Sequence, residues 1–594
     1  MLVRIADRLC EGREAGSTLI SVLIIMLVLG LGGMTVAAIV VNTAGLVVDG
    51  RSTAQSRAAA DAGMAVVVAQ AKSGGSICSA SASSASAPRF TVSAACSGGK
   101  VTFTSEGRGE DGGVTKAQAV YEMHVATSTL DGALVSANGG LNVSSIHVTA
   151  FDVDGDIVLN HGSLDCNNST EIEGDVIVRN GSVSLSNYCH VHGDVIASGD
   201  VTLSNHVEIG GNVHAMGNFN INNNTVVAGD VFTRGTATMT SGAKVRSITA
   251  LGTVSVDGGT TRVLGAIHTG GTVSVNAATV TGAVTAASNS PSSFYGAKTG
   301  AIRIAGRLSQ LQATTVTGDV ISTLAGASQD IAPDVTITGN LTLAGTYSTW
   351  NSGPTVGGSK TENVAGLTVP SGPSVDAPWQ LATDAFTWSD LPYNAAAWSS
   401  AGYNEIPAPG CTFQGNATLV AQINSLTTPT IVDARSCGPL NLYQVNFKLK
   451  TDVTFLVTSL TGQLLKIESG DTNEHIFNII TPDHVVNQAK SCLAQSPFPT
   501  PGTIGLSDVQ MDPLITGVAY SPCTVHLGQS GGNPSRWNGQ VYAGTVTWGG
   551  NSGTRMILDY REVNLPGLVS SPGGGGGPVA PSGLGNLLWQ RDVP

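Results

Sequence analysis

An aspartate recurs through the middle of this chain at one fixed place in a short motif. The motif reads Gly155-Asp156-Ile157, Gly174-Asp175-Val176 and Gly193-Asp194-Val195, then Gly211-Asn212-Val213 and Gly229-Asp230-Val231. If successive copies stack, Asp156, Asp175, Asp194 and Asp230 form one column at about 5 Å spacing. Like charges that close repel unless a cation sits between them, so Asp156, Asp175 and Asp194 are the candidate metal ligands. The favoured alternative is that each Asp bonds the backbone of its own turn. Asn212 and later Ala-containing copies break the charge column, so no metal is expected. His190, His192, His206 and His214 fall in neighbouring copies, but at different offsets, so convergence on a metal is not implied. Paired carboxylates beside a base could cleave a polysaccharide. Asp152, Asp154, Glu171 and Glu173 are the carboxylates, and Arg179 is the nearest base. Basic residues are scarce, no dense acid–base constellation forms, and no phosphate-binding loop or zinc-helix motif occurs. No catalytic residue is assigned, and neither an enzyme nor a cofactor is expected.

A second chemistry belongs to cysteine. Cys10 stands apart near the start. The other eight form sequential neighbours: Cys78 and Cys96, Cys166 and Cys189, Cys411 and Cys437, Cys492 and Cys523. An even number in close pairs suits disulfides in an oxidising compartment, with neighbour pairing the simplest of the 105 connectivities that eight cysteines allow. None has CxxC spacing, which disfavours zinc and thioredoxin-like chemistry. Composition agrees with export. Charged residues make up 12% of the chain, against a usual ~25%. Glycine accounts for 75 of 594 residues, as in a turn-dense, mainly β protein. The net charge of −13 disfavours nucleic acid as a partner.

The elements that carry these residues begin with an apolar helix. No charge occurs between Ser17 and Val48, and the run from Leu19 to Val41 would span about 34 Å as a helix, enough for a bilayer core of about 30 Å. A retained single-pass anchor is expected, with the bulk of the chain outside the cytoplasm. A cleaved signal peptide is the competing reading, although its apolar core is normally about 7–15 residues. Further on, the Gly-Asp-Val motif continues in weaker form to Gly318-Asp319-Val320 and Gly339-Asn340-Leu341. From Ile157 to Val320 the repeat averages close to 18 residues. Two further apolar columns accompany it, through Leu164, Val183 and Val201, and through Ile172, Val191 and Ile209. Three short strands per repeat, bent at Gly and Asn, describe one coil of a β-solenoid, which buries its inner face only when stacked. The columns are not six residues apart, which argues against the left-handed hexapeptide helix. The expected fold class is therefore mainly β: a right-handed β-helix with an N-terminal transmembrane α-helix.

Two segments carry family resemblances. Gly16-Ser17-Thr18-Leu19-Ile20 resembles the processing site of type IV prepilins, where a polar leader ends in Gly and an apolar helix follows. Arg57-Ala58-Ala59-Ala60-Asp61-Ala62-Gly63 resembles the "A-A-E-A-G" segment of PilX-like minor pilins. Together these imply cleavage between Gly16 and Ser17, and pilus or pseudopilus subunits as partners. Ser21 stands where such proteins usually carry Glu, so a major, filament-forming pilin is not implied. The repeated Gly-Asp-Val over residues 132–345 resembles bactofilin-like, polymer-forming β-helices.

The expected organisation is a leader at 1–16, a pilin-like helix at 17–72 and a membrane-proximal region at 73–130. Solenoid repeats follow at 131–345, and an extended Pro/Gly/Ser segment at 346–410, whose tryptophans should pack along the solenoid flank. β-rich rungs that widen and close the rod are expected at 411–570, then a flexible tail at 571–594. The function expected is that of a membrane-anchored, surface-exposed structural protein of prepilin-like type. The alternatives are an adhesin binding surface glycans, or a β-helix polysaccharide lyase or hydrolase.

Overall fold

The computed structural model describes residues 17–72, 80–86, 88–97, 100–109, 112–125, 132–150, 155–348, 352–382, 386–529, 534–550, 555–568 and 581–593; the side chains of 17–21, 32–33, 35–50, 71–72, 96–97, 100, 122–125, 150, 550, 581–590 and 592–593 are outside this set. Cys10, Gly16, Cys78, Asp152, Asp154 and Trp350 therefore lie outside the described residues. The chain divides into two compact units, residues 1–127 with 575–594, and residues 128–574.

In the first unit, helix α1 runs from Ser17 to Lys72. Among the described residues no helix is long and apolar enough to cross a membrane. The side chains from Val22 to Leu31 that are described, with Met34, are apolar and stand open, the large ones 49–73% exposed. The other end of α1 is packed. Ala60, Met64 and Val67 bury against Val92, Val101, Phe103, Ala117 and Ala119 of an antiparallel sheet. The small residues of the Arg57–Gly63 segment are what allow this approach. A Cβ on Gly63 would collide with Phe90, Val92 and Ser105, and Ser105 Oγ donates to the Ala60 carbonyl at 2.7 Å. The sheet's last strand is Pro581–Val593, antiparallel to Val114–Val125. That stretch was expected to be a flexible tail. Its backbone instead pairs along the neighbouring strand, from Lys116 with Val593 to Val125 with Pro581.

The second unit is a mainly β solenoid of right-handed type, with about 21 turns of about 19 residues. Three parallel ladders run along its first block. Ladder one stacks Ile157–Leu159, Val176–Val178, Val195–Ala197 and their successors to Lys360–Thr361. Ladder two holds ten strands, from Leu141–Ser144 to Leu308–Gln312. Ladder three stacks Glu171–Ile172, His190–Val191 and Glu208–Ile209. The solenoid thus continues past the expected limit at 345 to Thr361. The three apolar columns all point inward: Val176, Val183 and Val191 are each no more than 1% exposed.

The C-terminal block does not close the far end of this rod, as the sequence suggested. It stacks beneath the first rung. Ile406, Val432, Phe455, Ile479, Ala519 and Val541 are consecutive partners, and Val541 then pairs with Leu134, which pairs with Ile157. Likewise Ile557 pairs with His147. The first rung thus sits in mid-stack, and its edge hydrogen bonds are satisfied by residues about 400 positions later. Phe413, Phe447, Phe455 and Phe477 fill the wider core of this block.

This order of stacking requires the chain to travel back along the rod. The described residues of 362–403 make that return as a strap over the outer face of ladder one. Beside the later rungs the strap is held by its backbone: Arg303 donates to Thr368 O at 2.6 Å, His268 Nε2 lies 2.9 Å from Ser371 O, and Arg234 donates to Val375 O at 2.9 Å. Lower down, the outward column turns apolar through Ile196, Ile177, Val158, Val135, Tyr542 and Tyr520, and Trp388, Leu391 and Trp398 cover it. Trp379, by contrast, is 67% exposed.

Candidate functional site

The aspartate column is a backbone ladder. Asp156 Oδ1 accepts from Asp175 N–H at 2.8 Å, Asp175 Oδ1 from Asp194 N–H at 2.7 Å, and Asp194 Oδ1 from Asn212 N–H at 2.6 Å. Asn212 Oδ1 continues the series to Asp230 N–H at 2.9 Å. Each side chain bonds the next coil, where its own turn was expected. Amide donors between the carboxylates offset the repulsion that a cation would otherwise relieve. The preceding glycine makes the geometry possible: a Cβ on Gly193 would fall inside the van der Waals envelope of Asp175 Oδ1. At the next coil Ser247 takes the column position, and Arg246 beside it pairs with Asp230 and holds that carboxyl below its usual range. The ladder resumes at Asp319, whose Oδ1 accepts from Asn340 N–H at 2.7 Å.

The histidines scatter, as their offsets implied. His190 lies on ladder three and His192 in the turn after it. His206 occupies a corner, and His214 faces out from ladder one, stacked on Phe232 at 4.8 Å. Glu171 is the meeting point on ladder three. His147 Nε2 lies 3.1 Å from it, His192 Nε2 3.3 Å and Arg555 3.7 Å; Glu173 is 3.7 Å from His147. Arg179 does not join them, but lies 5.4 Å over the Phe386 ring of the strap. Among the described residues, no group of three or more His, Cys, Asp or Glu could hold a metal ion.

Sequence reading missed a buried polar cluster under the strap. Asp390 and Asp483 are fully buried. Asp483 accepts from Trp388 Nε1 and from the Ser491 N–H, both at 3.0 Å, and Asp390 Oδ2 accepts from Gln488 N–H at 2.6 Å. Tyr520 donates to Ser389 O at 2.8 Å, and Tyr542 accepts from Ser389 N–H at 3.0 Å. Burial pushes both carboxyls above their ordinary value. Nearby, Arg435 is sandwiched between Tyr393 and Phe498 and paired with Asp433 at 2.8 Å. The cavity beside it measures about 10 Å³, no more than one water would fill. These groups clamp the strap. Their only signal in the sequence was the cluster of tryptophans and acids in a Pro-rich stretch.

Disulfides join Cys166 to Cys189, Cys411 to Cys437 and Cys492 to Cys523. Cys96 has its expected partner, Cys78, outside the described residues. The Cys166–Cys189 bond lies in the core below a corner with unusual backbone. At successive coils the corner holds Asn168 and Ser169, Asn187 and Tyr188, Asn205 and His206, and Asn223 and Asn224, all with positive φ. The asparagines form an amide ladder, Asn205 to Asn187 at 3.1 Å and Asn223 to Asn205 at 2.7 Å. Tyr188 and His206 stack with ring centroids 5.0 Å apart and planes 11° from parallel. Tyr188 is 53% exposed.

No protein-family model matches the chain, and no curated protein does. Two solved structures align with it over 74% of its length and 95% of theirs. One is described as a possible adhesin C-terminal domain from Caldicellulosiruptor kronotskyensis, at 12% identity and a TM-score of 0.25. The other is the Tapirin C-terminal domain of Caldicellulosiruptor kristjanssonii, at 11% identity and a TM-score of 0.23. Likeness at that level assigns this chain neither fold nor function.

Proposed function

We propose that this chain is a membrane-anchored surface protein whose solenoid meets its ligands on its outer faces, as an adhesin does. One observation carries the reading: the inward columns of the solenoid are filled with apolar side chains, which leaves binding to the surface. A stack of about 21 turns would present about 100 Å of regularly spaced side chains. Disulfides between coils suit an oxidising exterior. The open apolar stretch of α1 supports the anchor, because such a surface requires lipid or other apolar helices around it. The reading is tested on intact cells. Protease shaving should release peptides from residues 132–568, and deleting the gene should reduce attachment. Recovery of the protein only from lysed cells would reject it.

The same helix favours a second reading, a prepilin-like subunit of a pilus or pseudopilus. Its far end docks on a sheet through Ala60 and Gly63, while its near end stays uncovered. Mass spectrometry of the mature N-terminus decides this one. A chain beginning at Ser17 supports it, and one beginning at Met1 or after Ala38 removes it.

A further inference from the structure

Tyr188 is the largest side chain on the positive-φ corner. Its φ is 63°, a left-handed conformation that suits Gly or Asn and strains a bulky side chain. The equivalent positions in the coils on either side hold Ser169 and His206, so the corner does not need a large ring. The ring is nevertheless half out in solvent, stacked on His206 and flanked by the Asn187–Asn205–Asn223 amide ladder. The Cys166–Cys189 bond fixes the adjoining residue to the preceding coil. Strain retained at an exposed, rigidly mounted aromatic is an observation that asks for a ligand.

The chemistry of the ligand follows from the neighbouring surface. Tyr188 lies two residues past the strand Val183–Ser186, at the margin of ladder two. The outward column there runs Asp165, Ser184, Thr202, Asn220, Thr238, Ser255 and Ser274, one residue per coil at about 4.8 Å. From Ser184 onward all six are short, polar and uncharged. Such a row offers hydroxyl and amide partners to a polyol, and the Asp165 carboxylate at its start, with the net charge of −13, repels acidic polymers.

We infer that Tyr188, stacked on His206 beside the asparagine ladder, is the platform on which a pyranose ring of a neutral polysaccharide docks, with the chain extending along the outer face of ladder two. The apolar face of the sugar covers the ring, and its hydroxyls meet the amides. This deepens the surface-binding reading and rests on it.

The test uses full-length protein in detergent and a panel of neutral hexasaccharides (cello-, xylo-, malto- and N-acetylchito-oligosaccharides), with hexagalacturonate as the acidic control, titrated by calorimetry. At least one neutral hexasaccharide should bind and the acidic one should not. Tyr188→Phe should keep the affinity. Tyr188→Asn should lower it about tenfold, the weight of one aromatic stacking contact, while the melting temperature holds or rises because Asn suits the backbone there. Failure of every neutral sugar to bind overturns the proposal, as does a Y188N protein that binds like the parent, or a Y188F protein that binds as weakly as Y188N. Shaving of intact cells reads location alone, so a surface-exposed protein that binds no sugar would sink the platform and leave the anchored surface protein standing.

Discussion

At the scale of single residues, one side-chain type does different work according to what borders it. Asp194 is an acceptor for the next coil, and Asn212 fills the same role in the same column. Asp194→Ala should therefore cost about 0.5–1.5 kcal/mol, the net worth of one such bond, and calcium should leave the melting temperature of the parent unchanged. A calcium-dependent shift that Asp194→Ala abolished would mean that the column binds cations. Asp390 is the opposite case, a carboxyl without solvent. A group held above its unfolded value binds its proton more tightly in the folded state, so its stabilising contribution is complete below about pH 3.9 and is lost as pH rises through the folded value. Asp483, across the cluster, works in the same direction. His484 works in the other, since burial lowers its pKa and its contribution is lost as pH falls through that range. The difference between parent and Asp390→Asn reports that carboxyl together with its repulsion of Asp483, and both act in the same direction. In denaturant titrations the variant should gain on the parent from pH 4 to 7, and a constant difference across that range would contradict the assignment.

At the scale of elements, the strap is the part with most leverage. It covers the apolar outer column from Ile196 down, and above that the column is mixed, through His214, Phe232, Thr249, His268, Thr285, Arg303 and Ile321. Along the lower part the strap supplies side chains, and along the upper part it supplies carbonyls to Arg234, His268 and Arg303. Trp388→Ala removes a buried ring and the indole partner of Asp483, and should cost about 3–5 kcal/mol. Protease cutting between 362 and 386 should accelerate before global unfolding does. If cutting and melting shift together, the strap is not a separately opening element. In α1, the Ala59-Ala60 and Gly63 positions show how a short-side-chain segment becomes a docking face.

At the scale of the whole second unit, the stack runs in an order different from the chain. The rungs between residues 404 and 560 lie beneath the rung at Leu134 and the strand Ile146–Ala150. A version of the protein ended after Thr361 would leave both edges open, with their backbone donors and acceptors unpaired. It should self-associate in size-exclusion chromatography, whereas the full chain should not do so through that edge. A monodisperse truncated protein would show that the C-terminal rungs are dispensable to the first block.

The sequence alone determined whatever repeats locally. The 18-residue spacing, the inward Val and Ile columns and the glycine before each aspartate are dictated coil by coil, because each coil must present the same face to its neighbour. It also marked the apolar run at the start and the closeness of the cysteine neighbours. The tertiary structure alone decided which rung is first in space, where residues 362–403 travel, and that Tyr188 sits on a strained corner against His206. The physical reason is that every solenoid edge exposes the same unpaired amides and carbonyls, so periodicity says that edges must pair but not which distant segment pairs with which. That choice is made by the match of long-range surfaces: Val541 against Leu134, and Trp388 over Tyr520 and Tyr542.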